Sequence, residues 1–265
     1  MSTFFEKIND LDILLHCDGY EREYFFAECS RLAYKGQKLA SKEFKKVGFT
    51  SYKFCSVEGA QCHIVKNRDY IVIAFRGTEP RQFSDIKADL MAWKRKSRTE
   101  GHVHAGFKNE LDKLWADIKM GLSRKGDRTI FLCGHSLGGA IATVCASRLE
   151  KDGEELYTYG SPRVGGDVFR DNLLVDHCRV VNNNDMVTKV PFWFIGYRHH
   201  GYLTYINHYG NIRELTSWQR LKDQIRGRWC ALRKFQMFDG IRDHDINKYC
   251  SKLKAMVKVE PTFGD

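Results

Sequence analysis

Hydrophobic positions along this chain change period several times, and each change marks an element. Residues 21–34, Glu21 to Tyr34, read as a helix. Phe54 to Val65 and Asp69 to Phe75 then read as strands. The second is almost unbroken in apolar character, Tyr70-Ile71-Val72-Ile73-Ala74-Phe75, as in a strand buried on both faces. Leu111, Leu114, Trp115, Ile118 and Leu122 return to helical spacing. A strand at Thr129–Cys133, a helix at Leu137–Leu149, strands at Glu155–Tyr159 and His177–Val181, and a strand candidate at Gly201–Ile206 complete the pass. Strands alternating with helices predict an α/β protein with a mostly parallel central sheet covered on both sides. No repeat, low-complexity tract or Pro/Gly/Ser linker interrupts the pattern, so residues 1–265 are expected to form one domain.

Charge adds a partner to this picture. The 43 Lys and Arg outnumber the 33 Asp and Glu, giving a net charge of +10. The excess is local: Lys94-Arg95-Lys96-Ser97-Arg98 is one cluster, and Arg220, Lys222, Arg226, Arg228, Arg233 and Lys234 form another. Such clusters are most commonly a solvated basic face; as a partner surface they suit an anionic membrane, and since neither sits in a nucleic-acid recognition motif, no nucleic acid is expected. Nine cysteines lie scattered without C-x-x-C or zinc spacing, which predicts free thiols and a reducing compartment. The N-terminus lacks a basic segment followed by an apolar one, and no apolar run reaches the length needed to span a bilayer. A cytoplasmic protein, peripheral at membranes, is the expectation.

Candidate chemistry centres on Gly134-His135-Ser136-Leu137-Gly138, which sits between a predicted strand and a predicted helix. This is the G-x-S-x-G elbow in the strand–turn–helix context that gives it meaning. A serine hydroxyl is a weak nucleophile until a base takes its proton, so it must project where a histidine can reach it. The base needs a carboxylate to orient it, and in such sheets the chain order is serine, acid, histidine. Asp185 is the candidate acid: it follows the apolar run Arg179-Val180-Val181 and a loop of three asparagines, at the C-terminal end of a strand. His244, just after Asp243 and before a predicted helix, is the candidate base. His199 and His200 precede a strand and His208 lies in a predicted turn; spacing alone leaves all of them in contention. The oxyanion of an acyl-transfer intermediate needs donors, and the Leu137 N–H supplies one. Thr78, after the strand ending at Phe75, offers a second through its N–H and hydroxyl, although a turn cap would use the same residue type. No metal or organic cofactor is required.

Taken in order, these segments resemble the class 3 lipases, the fungal-lipase-like branch of the α/β hydrolases. Ala74-Phe75-Arg76-Gly77-Thr78 resembles the family's oxyanion strand, Val103-His104-Ala105-Gly106-Phe107 its VHxGF segment, and Gly134–Ala140 its GHSLGGA elbow. Tyr159–Gly165 resembles its YGxPRVG turn, Val181–Pro191 its VNxxDxVPxxP segment, and Asp243-His244 with Tyr249 its D-H-x-x-Y segment. Thr188 stands where a proline is common, and one extra residue precedes Tyr249. The resemblance implies an α/β-hydrolase fold and a serine ester hydrolase acting on acyl lipids, a lipase. Ser136, Asp185 and His244 would form its triad, with Thr78 and Leu137 as the oxyanion hole. It also implies structural roles for His104 and His135, ion-pair or turn roles for Arg76 and Arg163, and a lid within residues 79–102. There Phe83, Ile86, Leu90 and Trp93 fall at helical spacing. A phospholipase or lysophospholipase on anionic membranes is the alternative within the same chemistry; a non-catalytic lipid-surface protein on the same scaffold is the alternative outside it. Residues 213–238 form a helical insert whose Leu215, Trp218, Leu221, Ile225, Trp229 and Leu232 make an apolar stripe opposite arginines and lysines. Core packing is its expected use, with an anionic membrane surface as the other.

Overall fold

The computed structural model describes residues 3–8, 11, 20–78, 94–149, 155–233 and 242–257, without the side chains of residues 94, 217 and 228–233. Its central sheet is built from strands β1 (Ser51–Val57), β2 (Ala60–Lys66), β3 (Tyr70–Phe75), β6 (Thr129–His135), β7 (Glu155–Tyr159), β8 (Asp176–Asn182) and β9 (Tyr202–Ile206). They lie in the order β1-β2-β3-β6-β7-β8-β9. The first three run antiparallel and every pairing from β3 to β9 is parallel. Two short strands, β4 (Lys94–Lys96) and β5 (His102–His104), pair separately. This is the mostly parallel, helix-flanked sheet expected from the alternating pattern, and it agrees with the α/β-hydrolase fold that the resemblance implies.

Side chains alternate across the sheet and feed two cores. Tyr70, Val72 and Ala74 of β3 meet Phe25, Phe26 and Leu32 of helix α1 (Glu21–Leu32) on one face. Ile71, Ile73 and Phe75 meet Leu111, Leu114 and Ile118 of helix α3 (Ala105–Leu122) and Ala140 to Ala146 of helix α4 (Leu137–Leu149) on the other. All six residues of β3 are buried, as its unbroken apolar run predicts. Helix α2 (Gln37–Lys46) leads into β1, and helix α7 (Ile246–Met256) packs against α1 through Tyr249, Cys250 and Leu253.

The structure corrects the sequence reading in two places. The strand expected from Phe54 to Val65 is a hairpin, because the chain reverses at Glu58-Gly59 with positive φ at both residues. Gly59 takes that conformation without strain, whereas Glu58 is an unusual residue for it. The second correction concerns helix α6 (Ser217–Arg233) in the insert. Its apolar stripe is not core over the described side chains: Trp218 is 62% exposed, Leu221 45% and Ile225 46%. The face turned inward is polar. Asp223 is buried and accepts from the Tyr205 hydroxyl at 3.0 Å and the His208 amide at 2.9 Å. The Asn184 amide donates to Gln224 O at 3.0 Å, and a side chain at Gly227 would collide with the Asn183 and Asn184 amides.

Candidate active site

The serine elbow is held open by close backbone packing. Ser136 has φ 59°, a left-handed conformation costly for a non-glycine residue, and its amide donates to Tyr159 O at 2.9 Å. A Cβ at Gly134 would lie 2.4 Å from the Gly138 carbonyl, and one at Gly138 would lie 2.3 Å from Phe75 O. Both flanking glycines are therefore required by contact, the second because the end of β3 crosses directly over the start of α4.

From this turn Ser136 Oγ lies 2.8 Å from His244 Nε2. His244 Nδ1 lies 3.0 and 2.9 Å from the two Asp185 carboxylate oxygens. Residues separated by 59 and 108 positions thus form one line of hydrogen bonds. Asp185 is fully buried, with His244 4% and Ser136 2% exposed, so the polar line is sheltered from water.

Several further groups fix this line. The Tyr249 hydroxyl donates to Asp185 Oδ2 at 2.6 Å and accepts from the Asn182 amide at 3.1 Å. Burial, and then the Asp185 charge, push its phenol well above the usual range, so it stays a donor. The Val187 amide donates to Asp185 Oδ1 at 2.9 Å. The loop carrying His244 is tied to the acid's loop, since Asn182 Nδ2 donates to Asp243 O at 2.8 Å. On its other side His135 Nε2 lies 2.6 Å from His244 O, and the Tyr34 hydroxyl lies 2.8 Å from His135 Nδ1. Burial, then the neighbouring His244, hold His135 well below the usual imidazole range, so it is neutral and donates one N–H to that carbonyl while accepting from Tyr34. His104 caps α3, accepting from the Gly106 amide at 3.1 Å. Both histidines hold structure, in keeping with the sequence reading. Arg163 donates to the carbonyl oxygens of Lys189 and Pro191, a turn role.

Asp185 and His244 are therefore brought to Ser136, while His199 bonds the Thr188 carbonyl at 2.8 Å and His200 faces His177 at 3.1 Å. Leu137 opens α4, so its amide belongs to the orphan donors of a helix N-terminus. Gly77, next to Thr78, passes so near that a Cβ there would be 3.3 Å from Ser136 Cβ. Tyr34 was invisible to motif reading because it lies 101 positions from its partner, outside every matched segment. Tyr249 stood in a matched segment, but nothing local linked it to Asp185. Of the candidate lid, residues 79–93, with Phe83, Ile86, Leu90 and Trp93, lie outside the described residues.

Residues 72–195 match the family model for Lipase (class 3). Secreted mono- and diacylglycerol lipase 1 of Fusarium solani is 43% identical over 106 residues, 37% of this chain and 32% of that protein. Secreted mono- and diacylglycerol lipase A of Penicillium cyclopium is 32% identical over 149 residues, 49% of this chain and 45% of that protein. The chain spans less than half the length of these relatives. Among solved structures, the Rhizomucor miehei lipase propeptide complex aligns with a TM-score of 0.60 at 21% identity, over 71% of this chain and 66% of that one, a likeness of fold. The expectation of a cytoplasmic location, drawn from unpaired cysteines and the N-terminal composition, is overturned: these relatives are secreted enzymes. Free thiols are buried here as small apolar groups, so their pairing state reported packing rather than compartment. Among the described residues no helix is long and apolar enough to cross a membrane. The segment that carries the elbow and the acid, residues 72–195, is thus similar to the class 3 lipase family.

Proposed function

We propose that the chain, acting as one catalytic unit over residues 1–265, is a serine carboxylic ester hydrolase of acyl lipids. His244 takes the proton from Ser136 Oγ as the oxygen attacks the ester carbonyl. Asp185 fixes the imidazole and offsets its positive charge. The oxyanion is held by the Leu137 amide and by Thr78, at the start of α4 where the helix dipole also favours negative charge. His244 then protonates the departing alcohol, and a water activated by the same imidazole releases the fatty acid from Ser136. The unbroken Ser136–His244–Asp185 line carries this reading. Ser136→Ala should lower turnover of a short p-nitrophenyl ester at least 10³-fold, as loss of a catalytic serine does. It should also abolish labelling by a fluorophosphonate. Retained turnover would overturn the assignment, and a failure of the native protein to be labelled would favour a non-catalytic lipid-surface protein.

The relatives named as mono- and diacylglycerol lipases support partial acylglycerols as substrates. A phospholipid reading is favoured by one observation: the exposed stripe Trp218, Leu221 and Ile225 carries exposed Lys222 and Arg226 beside it. Near it the loop after Asp185 exposes Trp193 and Phe194, and Lys189 of that loop reaches Gln224 of α6 at 3.4 Å. Aromatic and aliphatic side chains fringed by cations suit insertion into an anionic lipid surface. Fatty-acid release from diacylglycerol and from phosphatidylglycerol, compared in the same vesicles, separates the two substrates.

A further inference from the structure

Behind the turn that follows β7, the sheet encloses a small cavity whose walls hold cations without matching acids. Cys178 and Val180 of β8 face the α1 core, so His177 and Arg179, which alternate with them, face the opposite way, into this space. Arg198, His199 and His200 close it from the loop before β9, and Arg170 of helix α5 (Asp167–Asp171) stands at its edge. Arg198 and Arg170 are balanced by Asp167, each at 3.0 Å, on the exposed rim. No carboxylate lines the cavity.

Arg179 is not balanced. Among the described residues it forms no ion pair, and its Nε is sealed from solvent with no hydrogen-bond partner. Nearby Arg163 reaches neutral carbonyl oxygens and brings a second charge rather than relief. Burial, and then the Arg163 charge, lower the Arg179 guanidinium to about 10. Burial also holds His177 and His199 well below the usual imidazole range, with His200 next for the former and Arg179 for the latter. The leading charges acting on Arg179 are those of Arg163 and Arg220, with Cys178 and Tyr249 acting more weakly in the opposite sense. Arg179 is half-buried as a residue, but its Nε–H is sealed from water, and a guanidinium N–H held there without a partner or counter-charge is costly.

We infer that this cavity binds a small monovalent inorganic anion, chloride by size, with the Arg179 Nε–H as its donor. The free space is about 10 Å³, room for a body about as large as one water. Phosphate, sulfate and organic carboxylates are too large for it. A water would satisfy the N–H but leave the charge. An anion satisfies both, and adds a tie between β8, the turn at 161–165 and the loop at 198–200, which also meet through the Arg198 amide bond to Gly165 O and the contact of His177 with His200.

The test uses the full chain. Melting temperature is measured in sodium chloride and in sodium gluconate, mixed to constant ionic strength. Chloride should raise it, each tenfold increase above the dissociation constant adding an equal increment, while gluconate, too bulky for the cavity, should not. Arg179→Gln should fold and show no difference between the two salts. Crystals of the native chain grown in bromide should show an anomalous peak beside Arg179 Nε, a readout that stands if the variant fails to fold. Equal melting in both salts, a chloride response that survives in Arg179→Gln, or a cavity peak without anomalous signal would each overturn the site.

Discussion

At the scale of single residues, Tyr249 has the clearest untested consequence. Among the described residues its hydroxyl is one of three donors to the Asp185 carboxylate, with His244 Nδ1 and the Val187 amide. Removing it leaves the carboxylate short of a charge-assisted bond and the Asn182 amide without its acceptor at 3.1 Å. A bond of that kind contributes about 1.5–3 kcal/mol, which corresponds to roughly a 10- to 100-fold loss if it all bears on the transition state. Tyr249→Phe should therefore lower kcat by about that factor with KM little changed, and slow fluorophosphonate labelling equally. An unchanged labelling rate, with lowered thermal stability, would leave Tyr249 a structural residue only. Ser136 was legible in the sequence because an elbow is a local device: its glycines and its strand–helix context all lie within ten or so positions. Tyr249 and Tyr34 act across 64 and 101 positions, and no local pattern encodes such a contact.

At the scale of elements, the described strands and helices follow the apolar pattern closely. Leu137–Leu149 and Glu155–Tyr159 have the bounds read from sequence. Helix α6 shows where that reading stops. Spacing identifies an apolar stripe but not the direction in which it points, since a core and a lipid surface ask for the same side chains. Here the asparagine-rich loop beside Asp185 presents amides and carbonyls, so the helix docks through Asp223, Gln224 and Gly227 and leaves Trp218, Leu221 and Ile225 outside. Fully burying such a side chain contributes about 1.5–3 kcal/mol. The double change Trp218→Ala with Leu221→Ser should thus weaken partition onto phosphatidylglycerol vesicles by at least about tenfold, from two partly inserted side chains. Hydrolysis of a soluble short-chain ester should stay within a factor of about two of wild type, because neither side chain touches Ser136, His244 or Asp185. Undiminished vesicle binding would remove α6 from the lipid-contacting surface.

At the scale of the whole molecule, the parallel sheet was legible from alternation, whereas the neighbours of each strand were not. β6 lies beside β3 although two strands and a long helix intervene in sequence, and only the folded sheet sets that adjacency. The same packing buries histidines in both cores and so sets a response to acid. Burial, the leading cause, lowers His63 to about 4, and it holds His135, His177 and His199 well below the usual imidazole range. In the unfolded chain these rings titrate near 6.5. Below that pH the unfolded state binds protons that the native state refuses, so stability that is complete above pH 6.5 falls as the pH drops toward the native values. For His63 alone the window from 6.5 to about 4 corresponds to about 3 kcal/mol. Glu23 and Glu28 work in the opposite sense, since burial raises their carboxyls and the folded state then gains protons first on acidification. Comparison of variants isolates the imidazole. His63→Gln loses the bond to the Tyr52 hydroxyl at 2.7 Å, so its melting temperature at pH 7.5 should be lower than wild type. Its further drop between pH 7.5 and pH 4.5 should be smaller than that of wild type, so the two curves converge in acid. Parallel curves would show that His63 takes up its proton in the native state as readily as in the unfolded one, and that its burial does not oppose charge.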